Sequence, residues 1–244
     1  SEKSAWEETQ SGIIAALNYA LNPDSDNSTE DGARIINMSF GATGEFGGSA
    51  LEQTIREAQA LGVIVVSSAG NCGADAPSLS CNGYAGLTFP GSMKGPITVG
   101  AVDDKNALAG FSSRGFVEGY GPKPDVVAPG KNIASSWAGG GMSSQSGTSQ
   151  SAAFASGAIA LLLEKNPLLT PEEAKGILEK TAIDMGLKGR DDLYGYGLLD
   201  IEKALEGTQG ATPKQIILTQ APTMATVGLD DTPFGASLRV YNNS

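Results

Sequence analysis

The residues best suited to chemistry are a serine and an asparagine, each at the end of an apolar stretch. Ser149 closes Gly147-Thr148-Ser149, just before the small and aliphatic run "AAFASGAIALLL" (152–163). Backbone amides at a helix start are unpaired, and the dipole there favours negative charge. A serine in that place can attack a carbonyl while its own amide stabilises the oxyanion, and Gly147 lets a substrate backbone come close. The competing reading is a structural N-cap, the commoner role of a serine at a helix start. Asn71 ends "VIVVSSAGN" (63–71), which presents a carboxamide at a strand's carboxyl end. That group is the right type of donor for an oxyanion in a dry site, although an asparagine after glycine is also an ordinary turn residue. A nucleophilic serine usually needs a histidine base. This chain has no histidine.

The elements around these residues alternate. "AWEETQSGIIAALNYAL" (5–21) carries Ile13, Leu17, Ala20 and Leu21 at helical spacing. "ARIINMSFG" is a short β-branched run, a buried strand. "SALEQTIREAQALG" is an amphipathic helix closed by Gly62. "VIVVSSAGN", "GPITVGAVD" and "KPDVVAPG" supply three more strands. The helix after Ser149 is apolar almost all round and is expected at the domain centre. A further helix follows with Thr170 as cap and Pro171 in its first turn, and then one capped by Asp200. Continuous apolar strands alternating with helices predict an α/β fold, a mostly parallel sheet covered on both faces. In such sheets chemistry sits at the carboxyl ends of the strands. Ser39 to Gly41, Ser67 to Asn71 and the Ser149 turn are therefore expected on one rim. From 208 to 244 the helical period is lost, and short β-type runs suggest an appended β segment after a domain spanning 1–207.

Composition narrows the partners. The 244 residues carry a formal charge of -11, which argues against nucleic acid or an anionic membrane, since phosphate recognition needs clustered Lys and Arg. No apolar run approaches the roughly 20 residues of a membrane span. "SEKSAWEETQ" is a polar helix entrance with neither Met nor leader, so the chain is expected to begin mid-protein. Cys72 and Cys81 lie close in a loop; a local disulfide is favoured over free thiols or a metal site, and would suit an extracellular or cell-surface protein.

Taken in order, "INMSFG", "VIVVSSAGNCG", "FPGSMKGPITVGAVD", "FSSRG", "KPDVVAPG", "SGTSQSAAFASGAIALLL" and "YGYGLLDIEKAL" resemble the catalytic domain of the subtilisin-like serine proteases, the subtilases. The resemblance implies a three-layer α/β sandwich and an endopeptidase working through an acyl-enzyme, with no cofactor needed for the chemistry. It implies Ser149 as nucleophile and Asn71 as the oxyanion-hole side chain. Ser39, Phe40 and Gly41 match the strand along which an extended polypeptide substrate pairs. Ser68, Ala69 and Gly70 match one wall of the specificity pocket, with the Phe89-Pro90-Gly91 loop near its base. It also leaves room for a pro-segment and for structural calcium.

The departures are informative. The family's triad order is Asp, His, Ser, and neither an Asp-Thr/Ser-Gly strand end nor a His-Gly-Thr-His helix start occurs here. The expectation is a C-terminal two-thirds of the domain, with both residues supplied upstream. The rival is a catalytically silent scaffold that binds peptides along Ser39 to Gly41. An α/β-hydrolase esterase fits poorly, because "GTSQS" lacks the second glycine of the elbow and no histidine follows. After the serine, Ala153-Phe154 replace the family's Pro-His, a packing pair rather than the base. Asp125 matches a cation-site ligand in some subtilases, with a structural role equally open. The acidic loop "DSDNSTED" (24–31) is read as solvated rather than calcium-binding, since it lacks the EF-hand glycine. No acid or base falls in the blocks matching the pocket wall, which points to broad or apolar specificity.

Overall fold

A computed structural model describes residues 2–26, 31–44, 47–73, 81, 85–210, 216–220, 223–229 and 238–241. The chain separates into two compact units, Ser1–Gln209 and Gly210–Ser244. The triplet Asn27-Ser28-Thr29, which satisfies the N-glycosylation pattern, lies outside the described residues.

In the first unit, β1 (Ile35–Met38), β2 (Ile64–Ser68), β3 (Ile97–Val102) and β6 (Val126–Pro129) form one sheet in that order. Every pairing in it is parallel. Strand alternation divides the core into two. Ile64 and Val66 face Ala155, Ile159 and Leu162 of α3 (Thr148–Lys165), with α4 (Pro171–Thr181) and α5 (Ile201–Gly207) behind. Val65 points the other way, into Leu51 and Ile55 of α2 (Ala50–Ala60) and Leu17 and Leu21 of α1 (Glu2–Leu21). The result is three layers, helices on both faces of a parallel sheet. Each fully buried aliphatic side chain in these clusters contributes about 1.5–3 kcal/mol.

Helix ends follow the sequence. Ser49 caps α2 by accepting from the Glu52 amide at 3.1 Å, and Gly62 leaves it at φ +88°. Thr170 and Glu173 form a reciprocal capping box, with Pro171 in the first turn. Asp200 caps α5 through the Lys203 amide at 3.0 Å.

Three details differ from expectation. The first helix starts at Glu2 rather than Ala5. Two small antiparallel hairpins interrupt the pattern: β4 (Gly115–Val117) with β5 (Gly121–Lys123), and β7 (Ile133–Ser136) with β8 (Met142–Gln145). Finally, α3 is not buried all round. Thr148, Ser151, Ala152, Ala155, Ala158, Ile159 and Leu162 are buried, whereas Ala153, Phe154, Gly157, Ala160 and Leu161 are exposed. The sheet covers one side of a helix, and none of the described residues covers the other.

The second unit contains β9 (Ile216–Gln220), β10 (Thr223–Leu229) and β11 (Leu238–Tyr241), an antiparallel sheet in the order β11-β10-β9.

Candidate active site

The carboxyl ends of β1 and β2 and the amino end of α3 meet at one rim. Ser39, Phe40, Gly41, Ser68, Gly70, Asn71 and Ser149 together line an open cleft of about 140 Å³. Ala69 does not line it. It is fully buried, its amide bonded to the Val99 carbonyl and its carbonyl accepting from the Thr88 amide. Ala69 supports the wall from behind, because side chains alternate along an extended chain. Thr43, Cys72, Cys81, Thr88 and Thr148 complete the lining. None of the described residues that line it is charged.

Ser149 is not the cap of α3. The N-cap is Gly147, which has no side chain to give. The first helical amide, that of Thr148, is instead bonded at 2.9 Å to Asn71 Oδ1, which also accepts from Thr148 Oγ1 at 3.0 Å. Thr148 Oγ1 in turn accepts from the Gly70 amide at 3.2 Å. Asn71 thus caps the helix from another element and is held by two donors in one orientation. With Oδ1 committed to Thr148, Nδ2 is turned toward Gly147. A β-carbon on Gly147 would lie 3.2 Å from Nδ2 and 2.9 Å from Gln150 Oε1, so a side chain there would crowd the opening. Among the described residues nothing accepts from Asn71 Nδ2 or from the Ser149 amide.

The Ser149 hydroxyl faces the rim. It donates to the Ser39 carbonyl at 2.9 Å, while Ser39 Oγ donates to the Ser149 carbonyl at 3.0 Å. This reciprocal pair ties the helix start to the end of β1. Asn37 Nδ2 fixes the Ser39 hydroxyl from the other side at 2.9 Å.

The wall opposite is built by Thr88. Gly70, at φ +109°, lets its hydroxyl approach where a β-carbon would meet Thr88 Oγ1 at 2.7 Å. Ala42 and Phe89 exchange two backbone bonds, which stitches the 88–91 loop to the Gly41 side. Cys72 and Cys81 are joined in a disulfide with Cα atoms 5.7 Å apart. That bond pins the chain immediately after Asn71.

A larger concavity of about 320 Å³ lies elsewhere, lined by Lys94, Tyr120, Lys175, Glu179, Arg190 and Tyr196 among others. It holds no serine beside an amide donor. Lys175 and Arg190 of its lining, with the buried Lys123, converge on Asp125, which is fully buried. Asp125 Oδ2 lies 3.1 Å from Lys123 Nζ and 3.2 Å from Lys175 Nζ, and Oδ1 lies 3.7 Å from Arg190 Nη2. The Thr98 amide and the Tyr120 hydroxyl also donate to it. Burial alone would raise the Asp125 pKa. Lys123, Lys175, the Thr98 amide and the Tyr120 hydroxyl outweigh it and hold the carboxyl below the usual aspartate range. Its oxygens are taken by side-chain cations, so the residues here do not fit a metal ion, and the cation-ligand reading of Asp125 gives way to the structural one.

The model of the subtilase family matches residues 2–197. The chain belongs to the subtilase family. Subtilisin DY of Bacillus licheniformis is 34% identical over 198 residues, covering 81% of this chain and 63% of its own length. Subtilisin BL of Lederbergia lenta is 33% identical over 194 residues, 80% of this chain and 61% of that protein. Among solved structures, the prenylagaramide maturation protease PagA superposes with a TM-score of 0.65 at 30% identity, over 82% of this subtilase and 68% of PagA. This subtilase chain therefore spans less than two thirds of the length of these subtilisins.

Sequence reasoning missed Thr148 and Thr88. The G-T-S block held a signal for the first, since a threonine at the first helical position can reach a neighbouring strand end. For Thr88 there was none, as its role depends on two glycines distant in the chain.

Proposed function

We propose that this chain carries the nucleophile and oxyanion hole of a serine endopeptidase, and that the aspartate and histidine of the triad come from a preceding portion of a longer protein. The observation that carries the reading is the division of labour at the helix start. Asn71 caps α3, which leaves the Ser149 hydroxyl and amide turned to the cleft. A histidine beside Ser149 takes its proton; Oγ attacks the scissile carbonyl; Asn71 Nδ2 and the Ser149 amide hold the oxyanion. The amine leaves with that proton, and water activated by the same imidazole releases the acyl group. An extended polypeptide lies along Ser39 to Gly41, with one side chain against Ser68, Gly70 and Thr88.

The exposed stripe of α3 supports the second half of the proposal. Ala153 stands one turn after Ser149, and Phe154 is 40% exposed. An element packed on that stripe could set a base beside Ser149. β1 is an edge strand of the sheet, so the sheet can also be extended on that side. The disulfide fits an oxidising, extracellular setting, and no described helix is long and apolar enough to cross a membrane.

A silent peptide-binding scaffold is the second reading, favoured by the absence of histidine from the chain. A fluorophosphonate separates the two. It should label Ser149 in the full-length protein and not in Ser149→Ala or in this chain alone. A full-length protein that remains unlabelled would leave the scaffold reading standing.

A further inference from the structure

The cleft beside Ser149 is narrow because one side chain stands in it. Gly41 lies just beyond the end of β1 and Gly70 just beyond the end of β2, and both line the cleft. A β-carbon on Gly41 would clash with Thr88 Oγ1 and lie 2.9 Å from Thr88 Cβ. One on Gly70 would lie 2.7 Å from the same hydroxyl and 2.8 Å from Thr88 Cγ2. The Thr88 side chain therefore fills the space that these two glycines leave between the strand ends.

Thr88 is fixed in that place. Its amide donates to the Ala69 carbonyl at 3.0 Å, and its own carbonyl accepts from the Ser92 amide at 3.0 Å. Its hydroxyl donates to the Ala69 carbonyl at 3.4 Å. The next residue, Phe89, is tied to Ala42 by two backbone bonds. Thr88 is only 6% exposed, and a β-branched side chain has few other rotamers to adopt.

The size of what remains decides what can enter. The whole cleft measures about 140 Å³, whereas a cavity of about 150 Å³ is what holds one benzene molecule. The cleft must also take the scissile peptide unit. With the carbonyl carbon at Ser149 Oγ and its oxygen at Asn71 Nδ2, the side chain of that same residue lies against the segment leading into Asn71. There it meets Ser68, Gly70 and Thr88. No described lining residue carries a charge, so size rather than charge does the sorting.

We propose that Thr88 sets the substrate class, closing the cleft to aromatic and large aliphatic side chains and selecting Gly, Ala or Ser as the residue whose carbonyl is attacked. The inference rests on the proteolytic reading above, and it narrows the expected specificity from broad or apolar to small.

The test uses the full-length protein with its Thr88→Gly and Thr88→Ser variants. Substrates are peptide p-nitroanilides that differ only in the last residue, Ala or Phe. The wild type should prefer Ala over Phe by about 100-fold in kcat/KM, within the range a pocket's shape can supply. Thr88→Gly should move the Phe-to-Ala ratio toward Phe by about the same factor, a gain that misfolding cannot produce. Thr88→Ser removes only the methyl group and disturbs packing least; it should move the ratio the same way by about tenfold. A wild type that cleaves the Phe substrate as well as the Ala one, or a ratio that neither variant moves, overturns the role of Thr88. A full-length protein that cleaves neither substrate and leaves Ser149 unlabelled by a fluorophosphonate overturns the proteolytic reading, and the selection with it.

Discussion

Two polar clusters of this molecule are built on opposite plans. Around Asp125, the buried charges are committed: Lys123 Nζ donates to the Pro96 carbonyl at 2.9 Å, to Thr98 Oγ1 at 2.6 Å and to Asp125. Lys123 and Asp125 are both sealed from solvent. At the rim, half of each group is committed and half is held back. Asn71 uses Oδ1 and keeps Nδ2; Thr148 takes the capping partner and leaves Ser149 its amide. The first plan holds β3, β6 and the β4–β5 hairpin together. The second prepares a place for charge that does not yet exist, which is what a site for a transient oxyanion requires.

The sharpest way to break the contrast is at Ser149. Ser149→Ala in the full-length protein should abolish peptide hydrolysis, by about a million-fold, the figure already known for a subtilisin. Its denaturation midpoint should stay near that of the wild type. Asp125→Asn should do the reverse, since it leaves Lys123 buried without its counter-charge. A loss of about 3–5 kcal/mol is expected in chemical denaturation. The same cluster predicts acid sensitivity. A carboxyl with a depressed folded pKa stabilises fully above the unfolded value near 3.9 and loses that contribution as pH falls through its folded value. Melting temperature should drop steeply below about pH 4, and the drop should be shallower in Asp125→Asn.

Asn71→Ala touches both plans. Turnover should fall about 100- to 1000-fold, again the range of a subtilisin, and stability by about 1 kcal/mol for the lost cap. Asn71→Asp keeps the acceptor for Thr148 and removes the Nδ2 donor, so it should recover the stability without the turnover. The smallest effect on turnover is expected from opening the Cys72–Cys81 bond with Cys81→Ser. Closing a loop of 9 residues contributes about 2–3 kcal/mol in the chain-entropy picture, and the effect on turnover should be a few-fold through Asn71. Denaturation under reducing and oxidising conditions measures it.

Much of the rim was legible because its residues carry local signals. Gly70 stands just before Asn71 and Gly147 two residues before Ser149, the strands are uninterrupted apolar runs, and Gly62, Thr170 and Asp200 mark helix ends by their own chemistry. What stayed hidden depends on partners far along the chain. Nothing local tells that Lys123 is buried, since its acceptors at Pro96 and Thr98 lie more than twenty residues away, and a lone lysine is by default exposed. The hairpins are three or four residues a side and rich in Gly, Ser and Pro, without the alternation that marks a strand. The half-exposure of α3 was invisible for a different reason. A helix that is apolar all round does not say which of its faces the sheet will cover.

The most direct test is a structure of the full-length protein inhibited by a peptidyl phosphonate. The account predicts a bond from Ser149 Oγ to phosphorus, with one phosphonyl oxygen about 2.7–3.1 Å from both Asn71 Nδ2 and the Ser149 amide, and the Asn71 Oδ1 to Thr148 bond intact. An adduct whose oxygen points away from Asn71, or forms on another residue, would contradict it.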